Sequence, residues 1–410
     1  MRILHVIPSI SPRRGGPSQA VLAMVAAQRS QGLDAAIVTT NDDGDGVLPE
    51  LTPHHWQLVQ GVPVLAFPRW SPPLRPLREF AIAPSLVQWL RRHAQDHDLL
   101  HIHALFSFPT TTAMALARHQ QMPYILRTIG QLQHWSLQQS HGRKRLLLHM
   151  VERRNLEGAA ALHFTSLAEQ QEAAAMGLST PSFVLPLGVD LPPPRPQPSG
   201  VQSAADQGAE VQGAAVQEDA VQEDAVQLLF LSRLHPKKQL PLLFEALAQL
   251  RQRAPTAPWQ LQIAGDGDPA YVIELQRHAQ RLGLADQVRW HGFVQGDAKT
   301  ALFHGADWFV LPSAAENFGI AAAEALAYGV PVLLSPGVAL AEQVAKAGAG
   351  YCVEPTSTEL ATALARAVER RPSPQMRQAA RQLAAQQFGW LSITSQLLLR
   401  YEALSPQSHR

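Results

Sequence analysis

Cysteine is almost absent from this 410-residue chain, with Cys352 the only one. One thiol excludes a disulfide framework and any cysteine-rich metal site, and a reducing, cytoplasmic setting is the expectation. Long apolar runs are missing as well. None approaches the ~18 residues that cross a bilayer, and the opening MRILHVIP is too short an apolar stretch for a secretory leader, so it is read as a first strand. Charged residues make up only 16%, for a formal net charge of +1. That near-balance hides an asymmetry. Residues 201–227 hold six acids and no Lys or Arg, which leaves 27 acids against 34 bases elsewhere, or +7. Such an excess suits phosphate-bearing ligands or an anionic surface, and is too small to indicate nucleic acid.

Hydrophobic residues reach 46%, and the length is comfortable for two cores rather than one. Short apolar runs alternate with helical stretches. Residues 3–8, 35–39, 99–103 and 124–127 read as strands, with helices at 20–31 and 111–120. The same alternation resumes at 228–232 and continues through 259–264, 288–290, 308–311 and 330–334. Strand–helix alternation of this kind gives parallel sheets with helices on both faces. The expected fold class is therefore α/β, with two doubly wound, Rossmann-like domains facing each other across a cleft. Residues 1–190 form the first domain and 227–387 the second, and a C-terminal helix near 388–406 packs back on the first. Between them, 191–226 begins with Leu191-Pro-Pro-Pro-Arg-Pro-Gln-Pro198 and contains a tandem AVQED repeat at 215–219 and 220–224. That composition cannot bury enough surface to fold alone, and it reads as a linker with no catalytic role.

In open parallel sheets, ligands bind beyond the carboxyl ends of the strands. The stretch Pro312–Pro331 lies at such an end. A loop carries Glu316 and Asn317, a helix begins near Phe318 or Gly319, and Gly329 with Pro331 stops it. The first turn of that helix offers backbone N–H groups to a pyrophosphate, and Gly319 lets an anion approach closely. Glu324, two turns in, needs a partner for its charge, and ribose hydroxyls would serve. Arg233 and Lys238 follow the first strand of the second block, where two cations can neutralise a leaving diphosphate. No carboxylate pair of Asp-x-Asp type is read as ready to hold a metal for that task. Gly265 and Gly267 are read either as donor-binding or as a tight turn. In the first block, Gly15 and Gly16 permit close approach of backbone to ligand. His101 and His103 share a strand face, with His103 nearer the carboxyl end. A structural histidine is the alternative there. The basic segment at 141–154 reads either as a membrane-surface patch or as a solvated helix face.

Glu316 and Glu324, with Phe318-Gly319 between them, resemble the E-x7-E signature of the family-four retaining glycosyltransferases, group 1, which have the GT-B fold. The resemblance covers nearly the whole chain except the acidic insert. It implies a hexosyl-type transfer from a nucleotide diphosphate sugar to a glycan or lipid-linked acceptor, in cell-surface polysaccharide or glycoconjugate synthesis. Glu316 would bind donor sugar hydroxyls, Glu324 the ribose, Arg233 and Lys238 the diphosphate, and His103 the reacting sugar. Phe293 and Val294, after Gly292, match the loop whose backbone reads the base. No metal or other cofactor is implied. Three positions depart from the family pattern: Gln239 replaces a glycine, Leu187 an asparagine, and Ile129 a basic residue or histidine. A nucleotide-sugar epimerase and a non-catalytic, donor-binding partner subunit are the rival readings.

Overall fold

The structure, a computed structural model, describes residues 1–44, 46–133, 136, 148–193, 225–255 and 257–404. The acidic tract and most of the Pro-rich run before it (194–224) lie outside the described residues, as do residues 141–147 of the basic segment.

The chain divides into two compact units. The first comprises Met1–Asp190, Ala315–Ile320 and Ala385–Arg410, and the second Leu191–Ala314 and Ala321–Ala384. The first unit holds β1 (Arg2–Val6), β2 (Asp34–Thr40), a two-residue ribbon of β3 (Asp42–Asp43) and β4 (Gly46–Val47), β5 (Trp56–Val59), β6 (Val62–Phe67), β7 (Leu99–His103), β8 (Tyr124–Arg127), β9 (Ala161–Phe164) and β10 (Ser182–Val184). Its main sheet runs β10-β9-β8-β7-β1-β2-β6-β5, and every pairing except β5 with β6 is parallel. β7 and β8 are buried along their whole length, as strands covered on both faces must be. The hairpin β5–β6 was not anticipated, because its exposed edge strand lacks a continuous apolar run.

The helix read as 20–31 begins earlier, at Gly16, and ends at Ser30. Gly15 caps it with φ 87°, so Gly16 belongs to the first turn rather than to a loop. The C-terminal helix, Trp390–Leu404, belongs to the first unit. Val189 N donates to Phe388 O at 2.7 Å, and Gly188 lies so tightly under the Trp390 ring that no Cβ fits.

The second unit holds β11 (Val226–Leu231), β12 (Trp259–Ala264), β13 (Val288–Gly292), β14 (Trp308–Leu311), β15 (Val332–Leu334) and β16 (Gly350–Cys352). They form one all-parallel sheet in the order β13-β12-β11-β14-β15-β16. β11 starts at Val226 with Ala225 already buried, and Arg381 Nη2 donates to Pro192 O at 2.9 Å. The boundary drawn at 227 is therefore late by two residues, and the first residues of the Pro-rich run pack as part of this unit. The helix after β14 is Ile320–Ala327. It ends in a Schellman motif, with Gly329 N bonded to Leu326 O, Val330 N to Ala325 O, and Gly329 at φ 73°.

Candidate functional site

In the second unit, the carboxyl end of β11 leads into Ser232-Arg233-Leu234-His235 and then a single 3-10 turn, Pro236–Lys238. His235 opens that turn, its Nδ1 accepting from Lys237 N at 3.2 Å. Lys238 is 7% exposed. Burial, reinforced by Lys237 and Arg233, pulls its ammonium down to about 7. Three cations converge on this turn, which is an anion-ready arrangement built entirely of side chains. Lys237 O accepts from Ala314 N at 2.8 Å and from Ser313 Oγ at 3.1 Å, so the residues beyond β14 are tied to the same turn. Gln239 takes φ 53°, ψ 40°, the left-handed geometry that glycine would adopt without cost. The turn therefore forms despite the departure, at the expense of local strain.

Gly265 and Gly267 have a packing reason. A Cβ on either would overlap a backbone carbonyl of the Arg233 loop, Ser232 O or Leu234 O. The two loops are joined by Ser232 N to Ala264 O at 3.0 Å and Leu234 N to Asp266 O at 2.7 Å. Gly265 N in turn donates to Gly292 O at 2.7 Å, which anchors the loop carrying Phe293 and Val294. Phe293 is 54% exposed. An Asp-x-Asp string does occur here, Asp266-Gly-Asp268. Asp268 caps the helix Pro269–Arg281, accepting from Ala270 N at 3.0 Å and Tyr271 N at 3.2 Å.

Glu324 differs from expectation. It is half-buried rather than enclosed, and Lys299 Nζ lies 2.6 Å from its Oε1. Lys299 sits on the helix Gly296–Gly305, and no sequence signal links it to a residue 25 positions away. Glu316, Asn317, Phe318 and Gly319 cluster instead with the first unit. Glu316 is half-buried there. Asn317 Nδ2 donates to Thr165 Oγ1 at 2.7 Å, and a Cβ on Gly130 would lie 3.1 Å from Asn317. The Phe318 ring is buried edge-on against Phe388, so its side chain serves packing and only its backbone is left for a ligand. Gly319 (φ 92°) supplies the bend before the helix. A Cβ on Gly16 would meet only the tip of the Ile320 side chain, Cδ1 at 2.8 Å, which can turn aside, and Gly15 has open space around it.

His103 carries the largest correction. It was placed on a ligand-facing strand end, and it has no exposed surface at all. Its ring lies nearly coplanar with that of His5, edge to edge, with its Nε2 2.9 Å from His5 Nδ1, in a layer that also holds His101 and His163. Burial lowers all four imidazoles, His5 and His163 to about 3, and neighbouring Arg127 adds to the effect. Arg127 is itself fully buried and lowered to about 10 by that burial. Among the described residues, none of its guanidinium nitrogens has a hydrogen-bond partner. The nitrogens of His5, His101 and His103 lie within 4.8 Å of one another. The sequence showed each histidine but nothing of their convergence. Ile129 (φ 54°) and Gly130 (φ 71°) form a turn held by buried Glu169, which accepts from Thr128 Oγ1 at 2.6 Å and from Gly130 N. Of the basic segment, Arg153 pairs with Glu157 at 2.8 Å along a short helix. Among the described residues, no helix is long and apolar enough to cross a membrane.

Two family profiles match in succession, "Glycosyl transferase 4-like domain" over residues 15–188 and "Glycosyl transferases group 1" over 213–386. This chain belongs to the group 1 glycosyltransferases. It is 34% identical over 173 residues to the D-inositol 3-phosphate glycosyltransferase of Streptomyces griseus, a match covering 41% of this chain and 37% of that protein. It thus spans about a third of the length of the D-inositol 3-phosphate glycosyltransferases it matches. A longer similarity, 25% over 359 residues, is to the GDP-mannose:cellobiosyl-diphosphopolyprenol alpha-mannosyltransferase of Komagataeibacter xylinus, covering 87% of this chain and 80% of that one. Among solved structures, Anabaena Alr3699/HepE in complex with UDP and glucose superposes with TM-score 0.70 at 22% identity, over 98% of this chain and 100% of that one. Sucrose-phosphate synthase from Thermosynechococcus elongatus superposes with TM-score 0.74 at 20% identity, covering 98% and 99%. These likenesses show the fold, which is GT-B.

Proposed function

We propose that this chain is a retaining, metal-independent glycosyltransferase that moves a hexosyl-type sugar from a nucleoside diphosphate donor to a hydroxyl of a glycan or lipid-linked acceptor. The observation that carries the proposal is the turn at the end of β11. There Arg233 and the buried Lys238 converge where negative charge would grow on a departing diphosphate. In this reading Arg233 grips phosphate oxygens in a bidentate manner, and Lys238 follows the developing charge in place of a divalent ion. Glu324, oriented by Lys299, binds the donor ribose. Glu316 and the backbone of Asn317–Gly319 hold the donor sugar and pyrophosphate, and the Gly292–Val294 edge reads the base. Gly15 leaves room for ligand beside the first helix of the first unit. The acceptor oxygen attacks on the face from which phosphate leaves, and the phosphate takes its proton.

The relatives' names carry GDP-mannose in one case and UDP in another, so the test is a panel of UDP- and GDP-sugars with and without simple glycoside acceptors. Sugar transfer that needs acceptor, proceeds in EDTA and gives a product with the donor's anomeric configuration supports the reading. Release of an epimerised sugar from donor alone would make it an epimerase, and donor binding with no turnover on any acceptor a non-catalytic subunit.

A further inference from the structure

Glu169 has no exposed surface, and a carboxylate in such a place needs its acceptor positions filled. It stands in the first turn of the helix Leu167–Ala175, three residues after the N-cap Ser166, whose Oγ accepts from Glu169 N at 3.2 Å. In a capping box the carboxylate would return the bond to the N–H of Ser166. Here it reaches further. Thr165 N and Thr165 Oγ1 donate to its Oε2 at 3.0 and 3.1 Å. Thr128 Oγ1, at 2.6 Å, and Gly130 N donate to its Oε1. These four donors tie together the loops that follow β8 and β9, and helix capping accounts for none of them.

Both loops then meet one residue, Asn317, which groups with the first unit. The Thr165 hydroxyl has a single proton, spent on Glu169, so it offers only lone pairs to the side chain that faces it. Asn317 Nδ2 donates to it at 2.7 Å. That bond sets the Asn317 amide, turning its Oδ1 toward Ser166 Oγ, 3.5 Å away. Gly130 closes the third side, since a Cβ there would lie 3.1 Å from both Cβ and Cγ of Asn317. Thr165, Ser166 and Gly130 all owe their places to Glu169, and the residue they hold is the neighbour of Glu316.

We propose that Glu169 and Thr165 are positioning residues for sugar transfer: they fix the Asn317 amide and, through its backbone, the place of the Glu316 carboxylate. The proposal rests on the reading of Glu316 as the group that holds the donor sugar. Glu169 and Thr165 act without touching substrate. A rotation of the Asn317 amide moves the backbone next to it, and a carboxylate displaced by a fraction of its bond length to a sugar hydroxyl loses alignment rather than contact with the nucleotide. The effect therefore falls on the sugar and on the rate, and leaves the nucleotide's own grip intact.

The test uses the full chain, the UDP- and GDP-sugars of the panel above, and UDP and GDP alone as controls. Thr165→Val keeps the side-chain shape and removes the hydroxyl. Its kcat should fall about tenfold, the scale of one hydrogen bond, and the extra affinity of nucleotide sugar over bare nucleotide should shrink in step. Affinity for UDP or GDP should hold. Thr165→Ser, which keeps the hydroxyl, should recover most of the rate. Because the two partners make one bond, Thr165→Val combined with Asn317→Ala should cost little more than either alone. Glu169→Gln turns an amide N–H₂ toward two donors and should lower kcat at least as far; if it fails to fold, the Thr165 and Asn317 variants carry the test. Wild-type kcat in Thr165→Val, effects that multiply in the double variant, or an equal loss of bare-nucleotide affinity would each overturn the proposal. A wild type that binds nucleotide sugar and transfers none would sink the transferase reading instead, and the sugar-dependent affinity of the same variants then decides the positioning by itself. Absence of any sugar-dependent affinity would overturn both.

Discussion

Donor binding should consume a proton through Lys238. Its ammonium, buried in the turn beside Lys237 and Arg233, sits at about 7 in the ligand-free protein. A diphosphate placed against it favours the charged form and raises that value. At pH 7 about half of the lysines are neutral, so binding should take up about half a proton, approaching one near pH 8. Above about pH 7, affinity should then fall by up to tenfold per pH unit, because each unit costs about 1.4 kcal/mol. The probe should be an intact nucleotide sugar, whose esterified phosphates do not titrate in this range. Isothermal titration in buffers of different ionisation enthalpy measures the proton directly, and Lys238→Gln should abolish it while weakening binding. Linkage adds a stability consequence. The folded value lies below the ordinary 10.5, so the unfolded chain binds more protons between about pH 7 and 10.5. The penalty of the buried charge, bounded at roughly 5 kcal/mol, is fully present below about pH 7 and is lost as pH rises. Lys238→Met should therefore raise the melting temperature at pH 6 and leave it less changed at pH 9. Flat affinity from pH 6 to 9, with no buffer-dependent heat, would refute the reasoning.

Arg233→Ala should cut kcat roughly a hundredfold or more, about 3 kcal/mol, while nucleoside affinity holds; equal losses in both would mean the arginine binds substrate and transition state alike. Glu324→Ala should weaken nucleotide binding itself, and Lys299→Met should do so more mildly; if Lys299→Met tightened binding, the ion pair would be a competitor for the ribose rather than a support. Gln239→Gly should stabilise by up to about 1 kcal/mol in urea unfolding, because the residue already holds a left-handed φ of 53°. Gly265→Ala should cost more than about 2 kcal/mol, since its Cβ has nowhere to go but Ser232 O; a near-neutral result would show that the two loops are not packed together as seen.

Much of the fold was legible because parallel strands buried on both faces leave continuous apolar runs. β7, β8, β12 and β14 stand where those runs lie. The stop at Gly329 was legible for a similar reason, since a left-handed residue after a helix favours glycine and leaves it in the chain as a visible mark. Residue type and spacing also brought Arg233 and Lys238 forward as a pair. Other features had no such trace. The edge strand β5 is half exposed, so its pattern is broken, while its partner β6 is a buried apolar run interrupted by Pro63. Gly265 and Gly267 read as ligand glycines or a turn, yet the carbonyls they make room for belong to residues about thirty positions earlier. Glu324 looked buried because its neighbours are Ala and Ile, and Lys299 reaches it from another helix.

The sequence by itself determined the strands that are continuous apolar runs, the two-unit α/β class and the cationic turn, because these depend on contacts between near neighbours in the chain. The tertiary structure alone decided which charges are paired and which imidazoles are neutral. Tyr401 and His101 lie 300 residues apart and meet at 2.7 Å. Burial, partner and proton position at such a contact follow from distance and dielectric, which exist only once the chain has closed on itself.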